Sequence, residues 1–295
     1  MLIDTHAHLN FPAFDKDRNK IIEKCLENDL WLINIGSNYE TSKRAVEIAE
    51  KYEKGVYASI GLHPINLDTG LVKLKTDESE GEHFEKEFDF EKYKSLALRS
   101  FSEGGKVMAI GEIGLDYYWK PKTTKKKEMF KQRQKELFFK ELELAQELNL
   151  PVIFHCRMAH DDFIEILRST FHTPHSKING VMHGFVGTLE QLKEYLKLGF
   201  YIGFNGIIFK KIEGINFEEN IKNAPLEKIL IETDCPYLTP PLARRSFSEG
   251  GQNQDERNEP LYVKYIAQEI AKIKNLSFEK VAEITTKNAR QLFKI

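Results

Sequence analysis

Eight short apolar segments alternate with stretches of helical periodicity, and this alternation limits the folds open to the chain. Strands separated by helices pair in parallel through right-handed crossovers. Eight strands close a TIM (β/α)8 barrel, and 295 residues is an ordinary length for one. The predicted strands cover residues 2–5, 31–36, 56–62, 107–112, 152–155, 180–183, 200–204 and 229–233.

A doubly wound open α/β sheet is the alternative architecture. It requires a glycine-rich turn after the first strand, and the residues there are Thr5, His6, Ala7 and His8. We therefore expect an α/β protein with one TIM-barrel domain over residues 1–295 and insertions in its loops.

Composition narrows the class of protein. The net charge of -2 gives no overall basic field of the kind that coats nucleic acid, although an enzyme that grips a few phosphates remains possible. The 3 cysteines are scattered, which disfavours a disulfide framework or a zinc finger. No secretion signal or membrane-length apolar run is recognisable. We expect a cytoplasmic protein with no membrane association and no obligate protein partner.

Histidine and carboxylate side chains fall where the predicted strands end. Side chains alternate along a strand, so His6 and His8 share one face. In a parallel barrel the carboxyl ends of the strands meet at one rim, where active sites lie. The residues brought to this rim are His6, His8, Glu112, His155, His183 and Asp234.

This set predicts a metal centre. Imidazole and carboxylate ligands without thiolate suit Zn²⁺ or Mn²⁺, and Mg²⁺ accepts the oxygen ligands. Six candidate ligands exceed one tetrahedral set, so we expect two divalent ions with Glu112 bridging them. Such ions lower the pKa of a bound water, which then supplies the hydroxide that attacks an ester. Asp234 is placed to bind an ion and to accept the proton of that water. Glu112 and Asp234 are thus the predicted catalytic residues.

Three further residues are candidates for substrate contact. His63 ends the third strand. Arg157 suits bidentate binding of a phosphate, or a salt bridge to Asp116. Arg257 either points at the site or leaves Glu259 to cap the next helix. The lysine-rich run 120–127 is typical of a solvated helix entry and also suits a polyanion.

An internal repeat is unusual. The heptapeptide RSFSEGG occurs at residues 99–105 and again at 245–251. The copies are too short and too distant for a solenoid. Both are interpreted as surface-loop insertions, since long loops cost little stability.

The motifs together resemble the TatD family of metal-dependent deoxyribonucleases. The resemblance rests on DTHAHL at 4–9, GLHP at 61–64, GEIGLDY at 111–117, PVIFHCR at 151–157, ETDCPYL at 232–238 and RNEP at 257–260. It implies an amidohydrolase-like barrel, a divalent metal site and hydrolysis of DNA, often from the 3′ end. By position it makes His6, His8, Glu112, His155, His183 and Asp234 the ligands.

Two features depart from the family pattern. The turn after His183 reads Gly184-Phe185-Val186-Gly187 instead of a Cys-Phe-Ser-Gly-like sequence, and both repeat copies lengthen loops. These differences spare the predicted ligands and affect the loops that would grip substrate.

Two other functions are compatible with the same rim. One is a hydrolase of a small ester, amide or lactone, and the other is a non-catalytic metal-binding scaffold. A substrate panel separates the first from a nuclease, and metal content without turnover identifies the second.

Overall fold

The structure, a computed structural model, describes residues 1–73, 78–81, 84–102, 104–171, 178–245 and 257–295. Its strands are β1 (Leu2–Ala7), β2 (Leu30–Ile35), β3 (Val56–Ile60), β4 (Val107–Asp116), β5 (Val152–Arg157), β6 (Gly180–Met182), β7 (Tyr201–Phe204) and β8 (Ile229–Ile231). Its helices are α1 (Arg18–Glu27), α2 (Tyr39–Ala49), α3 (Phe90–Ser102), α4 (Thr124–Leu148), α5 (His160–Phe171), α6 (Leu189–Lys197), α7 (Phe217–Asn223), α8 (Pro241–Arg245), α9 (Val263–Lys274) and α10 (Phe278–Phe293).

The eight strands form one parallel sheet in the order β1 to β8. Backbone hydrogen bonds between the residues that follow β8 and the end of β1 close the sheet. Asp234 N–H donates to the His6 carbonyl over 2.8 Å, and His8 N–H donates to the Cys235 carbonyl over 3.0 Å. The predicted TIM barrel is thereby confirmed. No helix among the described residues has both the length and the apolarity needed to span a membrane.

Two apolar cores hold the barrel. The larger lies between strands and helices, and the smaller joins residues of the strands to Leu292 and Phe293 of α10. In β5, Ile153 belongs to the smaller core and His155 follows on the same face. In β6, Val181 belongs to the smaller core, and His183, directly after the strand, follows on the same face. In β5 and β6 the strand faces that pack this inner core therefore present His155 and His183 above it.

Strand β4 continues to Asp116, and β5 continues to Arg157, both beyond their predicted ends. Gly114 allows this, since its φ is +150° and a Cβ there would lie 2.0 Å from the His155 carbonyl oxygen. Only glycine tolerates such a backbone and such an approach. The pairing therefore continues to Asp116 opposite Arg157 and places both side chains at the rim.

The first repeat copy differs from the predicted surface loop. Its first four residues are the last turn of α3, and Ser100 is buried. The Ser100 hydroxyl accepts hydrogen bonds from Lys106 N–H (3.1 Å) and Val107 N–H (3.2 Å), so this copy ends a helix and leads the chain into β4. In the second copy Arg245 ends α8, and residues 246–251 lie outside the described residues.

Candidate metal centre

A cavity of about 410 Å³ opens where the barrel strands end. Its wall contains seven of the nine predicted site residues, namely His8, His63, Glu112, His155, Arg157, His183 and Asp234. His6 is fully buried beside them, and Arg257 is not part of the wall.

One group of possible ligands consists of His6, His8 and Asp234. The Asp234 Oδ1 lies 3.4 Å from His8 Nε2 and 3.9 Å from His6 Nε2. His8 Nδ1 lies 3.1 Å from the Ile35 carbonyl oxygen, an acceptor only, so Nδ1 carries the proton. The lone pair of Nε2 is therefore turned toward Asp234, as a metal ligand requires.

A second group consists of His6, Glu112 and His183. Glu112 Oε2 lies 3.2 Å from His6 Nε2, and Oε1 lies 3.8 Å from His183 Nε2. His183 Nδ1 donates to Glu232 Oε2 over 2.9 Å, which orients the imidazole and leaves Nε2 facing Glu112. A carboxylate behind a ligating histidine is the usual arrangement in metal sites.

The donor atoms fit a cation. Both nitrogens of the fully buried His6 have no hydrogen-bond partner within the described ranges. Such orphaned atoms are costly unless something binds them. Ligand atoms about 2.1 Å from one ion lie roughly 3 to 3.5 Å from each other, and the His6–Glu112 and His8–Asp234 separations of 3.2 and 3.4 Å are of this size.

His155 takes a different place from the predicted one. Its Nδ1 lies 2.6 Å from Glu112 Oε1 and its Nε2 lies 3.1 Å from Asp116 Oδ2. It therefore forms a third group with His63 and Asp116, and Glu112 shares its ligand group with His6 and His183. Because both nitrogens of His155 face carboxylates, both carry protons in this arrangement. Its role as a metal ligand stays a prediction.

The site balances its charges internally. Burial alone would raise the pKa of Glu112, but the imidazoles of His183, His63, His6 and His155 hold it well below its usual value. Burial alone would lower the pKa of His183, but Glu232 and Glu112 raise it to about 10. Since a ligating imidazole must be neutral, metal binding at His183 competes with protons.

His63 remains neutral because burial, and then the neighbouring His155, lowers its pKa to about 3. Its Nδ1 accepts the Ile65 N–H over 3.0 Å, so the proton lies on Nε2. That Nε2 lies 3.6 Å from Glu112 Oε1 at the cavity wall. His63 therefore offers a neutral hydrogen-bond donor to whatever the cavity binds.

Arg157 forms the salt bridge that the sequence left as an alternative. Its Nε and Nη2 both lie 2.8 Å from Asp116 Oδ2. Its Nη1 has no partner within the described part of the chain. The side chain lines the cavity and is 42% exposed. Arg157 is thus fixed by Asp116 while part of its guanidinium still faces the cavity.

Asp234 is held by its backbone. It has φ +59°, a left-handed conformation that is uncommon for aspartate. Its N–H donates to the His6 carbonyl, and its carbonyl accepts the Tyr237 N–H over 2.9 Å. Asn258 donates to the Thr233 carbonyl over 2.9 Å and to the Tyr237 carbonyl over 2.6 Å, which ties down the same turn.

Arg257 lies away from this centre. Its guanidinium bonds both carboxylate oxygens of Asp17 (2.6 and 3.1 Å) and the Ala13 carbonyl (2.6 Å), and it stacks over Phe14. The substrate-binding role predicted for Arg257 stays a prediction, and these contacts give it no support. In the RNEP segment the buried Asn258 is the residue joined to the Asp234 turn.

Variants of the adjacent residues Asn258 and Arg257 should therefore differ in stability and activity. Asn258→Ala is expected to lower the free energy of unfolding by about 2 kcal/mol, because the buried Thr233 carbonyl and the partly buried Tyr237 carbonyl lose their donor. It should also slow hydrolysis by displacing Asp234. Arg257→Ala removes a partly exposed ion pair, expected to contribute about 1 kcal/mol or less. Urea denaturation and hydrolysis rates check both, and a raised KM in Arg257→Ala alone would restore its substrate role.

Three other contacts were not predicted. Asp116, expected only as a partner of Arg157, also bonds His155, and Glu232 supports His183. Glu80, from the long segment after β3, lines the cavity and accepts from Asn66 Nδ2 over 2.7 Å. The sequence signal for the first two is their position at strand ends. No periodicity marks Glu80.

Comparison with known proteins identifies the family. The TatD related DNase family matches residues 3–294. The metal-dependent hydrolase YabD of Bacillus subtilis is 37% identical over an alignment of 297 positions, which covers 100% of both chains. The 3′-5′ ssDNA/RNA exonuclease TatD of Pantoea ananatis is 30% identical over 294 residues, 99% of each chain.

A solved structure supports the same family assignment. YJJV, a TatD homolog from Escherichia coli, has a TM-score of 0.75 and 27% identity, and the match covers 100% of this chain and 98% of that one. The chain therefore belongs to the TatD family of metal-dependent hydrolases, as the motifs at its strand ends predict.

Proposed function

We propose that this protein uses two divalent ions to hydrolyse DNA phosphodiester bonds, removing nucleotides from the 3′ end of a single strand. The observation that carries the proposal is the cavity wall itself. Two ligand groups, which have His6 in common, lie at this cavity. Two hydrogen-bond donors, His63 and Arg157, line the same cavity. The exonuclease name of the Pantoea relative agrees with this substrate.

The ligands divide between the ions as the donor atoms are grouped. His6, His8 and Asp234 would hold one ion, and Glu112 and His183 would hold the other. His6 Nε2 has one lone pair and would serve one ion, so Glu112, whose Oε2 lies 3.2 Å from His6 Nε2, is the residue that would contribute to both. When bound, Mg²⁺, Mn²⁺ or Zn²⁺ would polarise the phosphate and acidify a water. Glu232 keeps the Nε2 of His183 turned to the site through its bond to Nδ1.

The other side chains bind substrate and move a proton. His63 Nε2–H and the Nη1 of Arg157 would donate to nonbridging phosphate oxygens. Asp234 accepts the proton of the attacking water. Burial would raise its pKa, but the imidazoles of His8, His183 and His6 around it lower it, so the carboxylate is ionised near neutral pH. Positioned proton transfer of this kind contributes about 10²- to 10⁴-fold to a rate.

Labelled oligonucleotides test the proposal. With Mg²⁺ or Mn²⁺, a 5′-labelled single strand should shorten stepwise, and a 3′-labelled one should release labelled mononucleotide first. EDTA should stop both reactions. Internal fragments would overturn the 3′ polarity. Turnover of lactones, esters or amides with intact DNA would favour the small-substrate hydrolase, and bound metal without turnover would favour the scaffold.

A further inference from the structure

An aromatic pair lies just outside the cavity, where β4 ends. The Tyr118 side chain is 50% exposed, and its ring centroid lies 4.9 Å from that of the half-buried Trp119. Large rings at a surface are informative when they adjoin a site. Neither ring belongs to the cavity wall.

Arg157 and Asp116 connect this pair to the cavity. The Arg157 guanidinium lies over the Tyr118 ring, 4.5 Å from its centroid. Asp116 Oδ1 accepts the Tyr118 N–H over 2.9 Å, and Oδ2 holds Arg157. One carboxylate in the cavity wall thus fixes both the arginine and the ring beside it.

Five lysines follow directly in the chain. Lys120, Lys122, Lys125 and Lys126 are exposed and Lys127 is half-buried. Within the described ranges none of the five makes an ion pair, whereas Lys135, further along α4, pairs with Asp162 over 2.9 Å. We call Tyr118, Trp119, Arg157 and these five lysines the aromatic–basic strip.

Helix stability does not explain the lysines. The first turn of α4 has no acidic residue. Carboxylates stabilise that end of a helix, and each lysine there is unfavourable by about 0.3–1 kcal/mol. The chain as a whole has a net charge of -2, so this local excess of positive charge indicates a surface that binds an anionic partner.

We propose that the aromatic–basic strip binds the part of a single-stranded nucleic acid that extends from the cavity. Unpaired bases stack on Tyr118 and Trp119, and successive phosphates pair with the lysines. Stacking needs exposed base faces, so a duplex cannot use the rings in this way. The inference rests on the proposed nuclease function and adds the path of the substrate outside the cavity.

Oligonucleotide binding tests the strip separately from cleavage. Fluorescent oligo-dT and oligo-U of about 4 and about 16 nucleotides span the usual single-strand site sizes. They are titrated by anisotropy against the Glu112→Gln protein, and phosphorothioate oligomers against the wild type. The two sequences separate DNA from RNA.

Tyr118→Ala is expected to weaken binding of the longer oligomer about 5- to 100-fold, the usual loss for one stacked base, whereas Tyr118→Phe should bind like the parent. Replacing Lys125, Lys126 and Lys127 by glutamine should flatten the log–log salt dependence by about 0.7 per lost phosphate contact. Phe139→Ala, which removes a ring 46% exposed elsewhere on α4, is the matched control and should leave binding unchanged.

The strip is overturned if Tyr118→Ala binds like the parent, if Phe139→Ala weakens binding equally, or if a duplex binds as tightly as a single strand. In Tyr118→Ala, cleavage of the longer oligomer should fall more than hydrolysis of a nitrophenyl phosphodiester, which is too small to reach the strip. Binding through the strip without any cleavage would overturn the nuclease proposal alone. Cleavage with unchanged Tyr118→Ala binding would overturn the strip alone.

Discussion

Glu112→Gln is expected to lose bound metal and to slow phosphodiester hydrolysis by at least about 10³-fold. Loss of a partner behind a ligand already costs about 10- to 100-fold, and Glu112 is itself a candidate ligand. Its two oxygens lie 3.2 Å from His6 Nε2 and 3.6 Å from His63 Nε2. Glutamine keeps the shape and removes the charge that offsets four imidazoles.

Glu141→Gln is the matched control. Glu141 is also fully buried, but it lies on α4 and accepts the Leu62 N–H over 2.7 Å, away from the cavity wall. Burial raises its pKa well above the usual value, which favours the neutral acid that glutamine mimics. Metal analysis and initial rates should match wild type in Glu141→Gln. Full metal content in folded Glu112→Gln protein would remove Glu112 from the ligands.

The sequence predicted the barrel and the rim because both follow from local rules. Alternation along one strand places His6 beside His8, and parallel pairing brings the ends of β1, β4, β5, β6 and β8 together. The predicted β4 ends at 112, whereas in the structure the strand continues to Asp116 and includes Gly111 and Gly114. Their close approach to β5 is a property of the pair of strands.

Side-chain partners across the barrel were not predictable in the same way. Glu232 and Asp234 both follow β8, yet Glu232 lies behind His183 and Asp234 faces His8. Sequence spacing alone does not distinguish the role of Glu232 from that of Asp234. His155 is drawn to Asp116 because β4 extends to that residue. Asn258 and Arg257 are neighbours whose roles are separated only by the fold.

The long segment after β3 shows a further limit. It has weak periodicity and reads as loop sequence, but Ser79 bonds the Tyr237 hydroxyl over 2.8 Å and Glu80 reaches the cavity. Contacts between segments this distant in the chain depend on the closed barrel. Likewise, Tyr118, which precedes the lysine run 120–127, contacts Arg157, which belongs to another strand.

Asp234→Asn is expected to lower kcat about 10²- to 10⁴-fold, because asparagine can face an ion through its oxygen but cannot accept a proton. Asp234 Oδ1 lies within 3.4 Å of His8 Nε2, so some loss of metal affinity should accompany the change. Rates measured across a titration of Mn²⁺ separate the two effects. A proton acceptor stays essential at saturating metal, whereas a simple ligand does not.

Glu232→Gln supplies the contrast within the same strand end. Glu232 touches His183 Nδ1 and Gly184 N–H rather than the cavity. Its loss should weaken metal binding about 10- to 100-fold, and saturating Mn²⁺ should restore kcat, because the proton acceptor is intact. If Asp234→Asn recovered to within about tenfold under the same conditions, its share in proton transfer would fall below the range of general base catalysis. The carboxylate would then act as a ligand alone, and the proton would leave through another group of the wall.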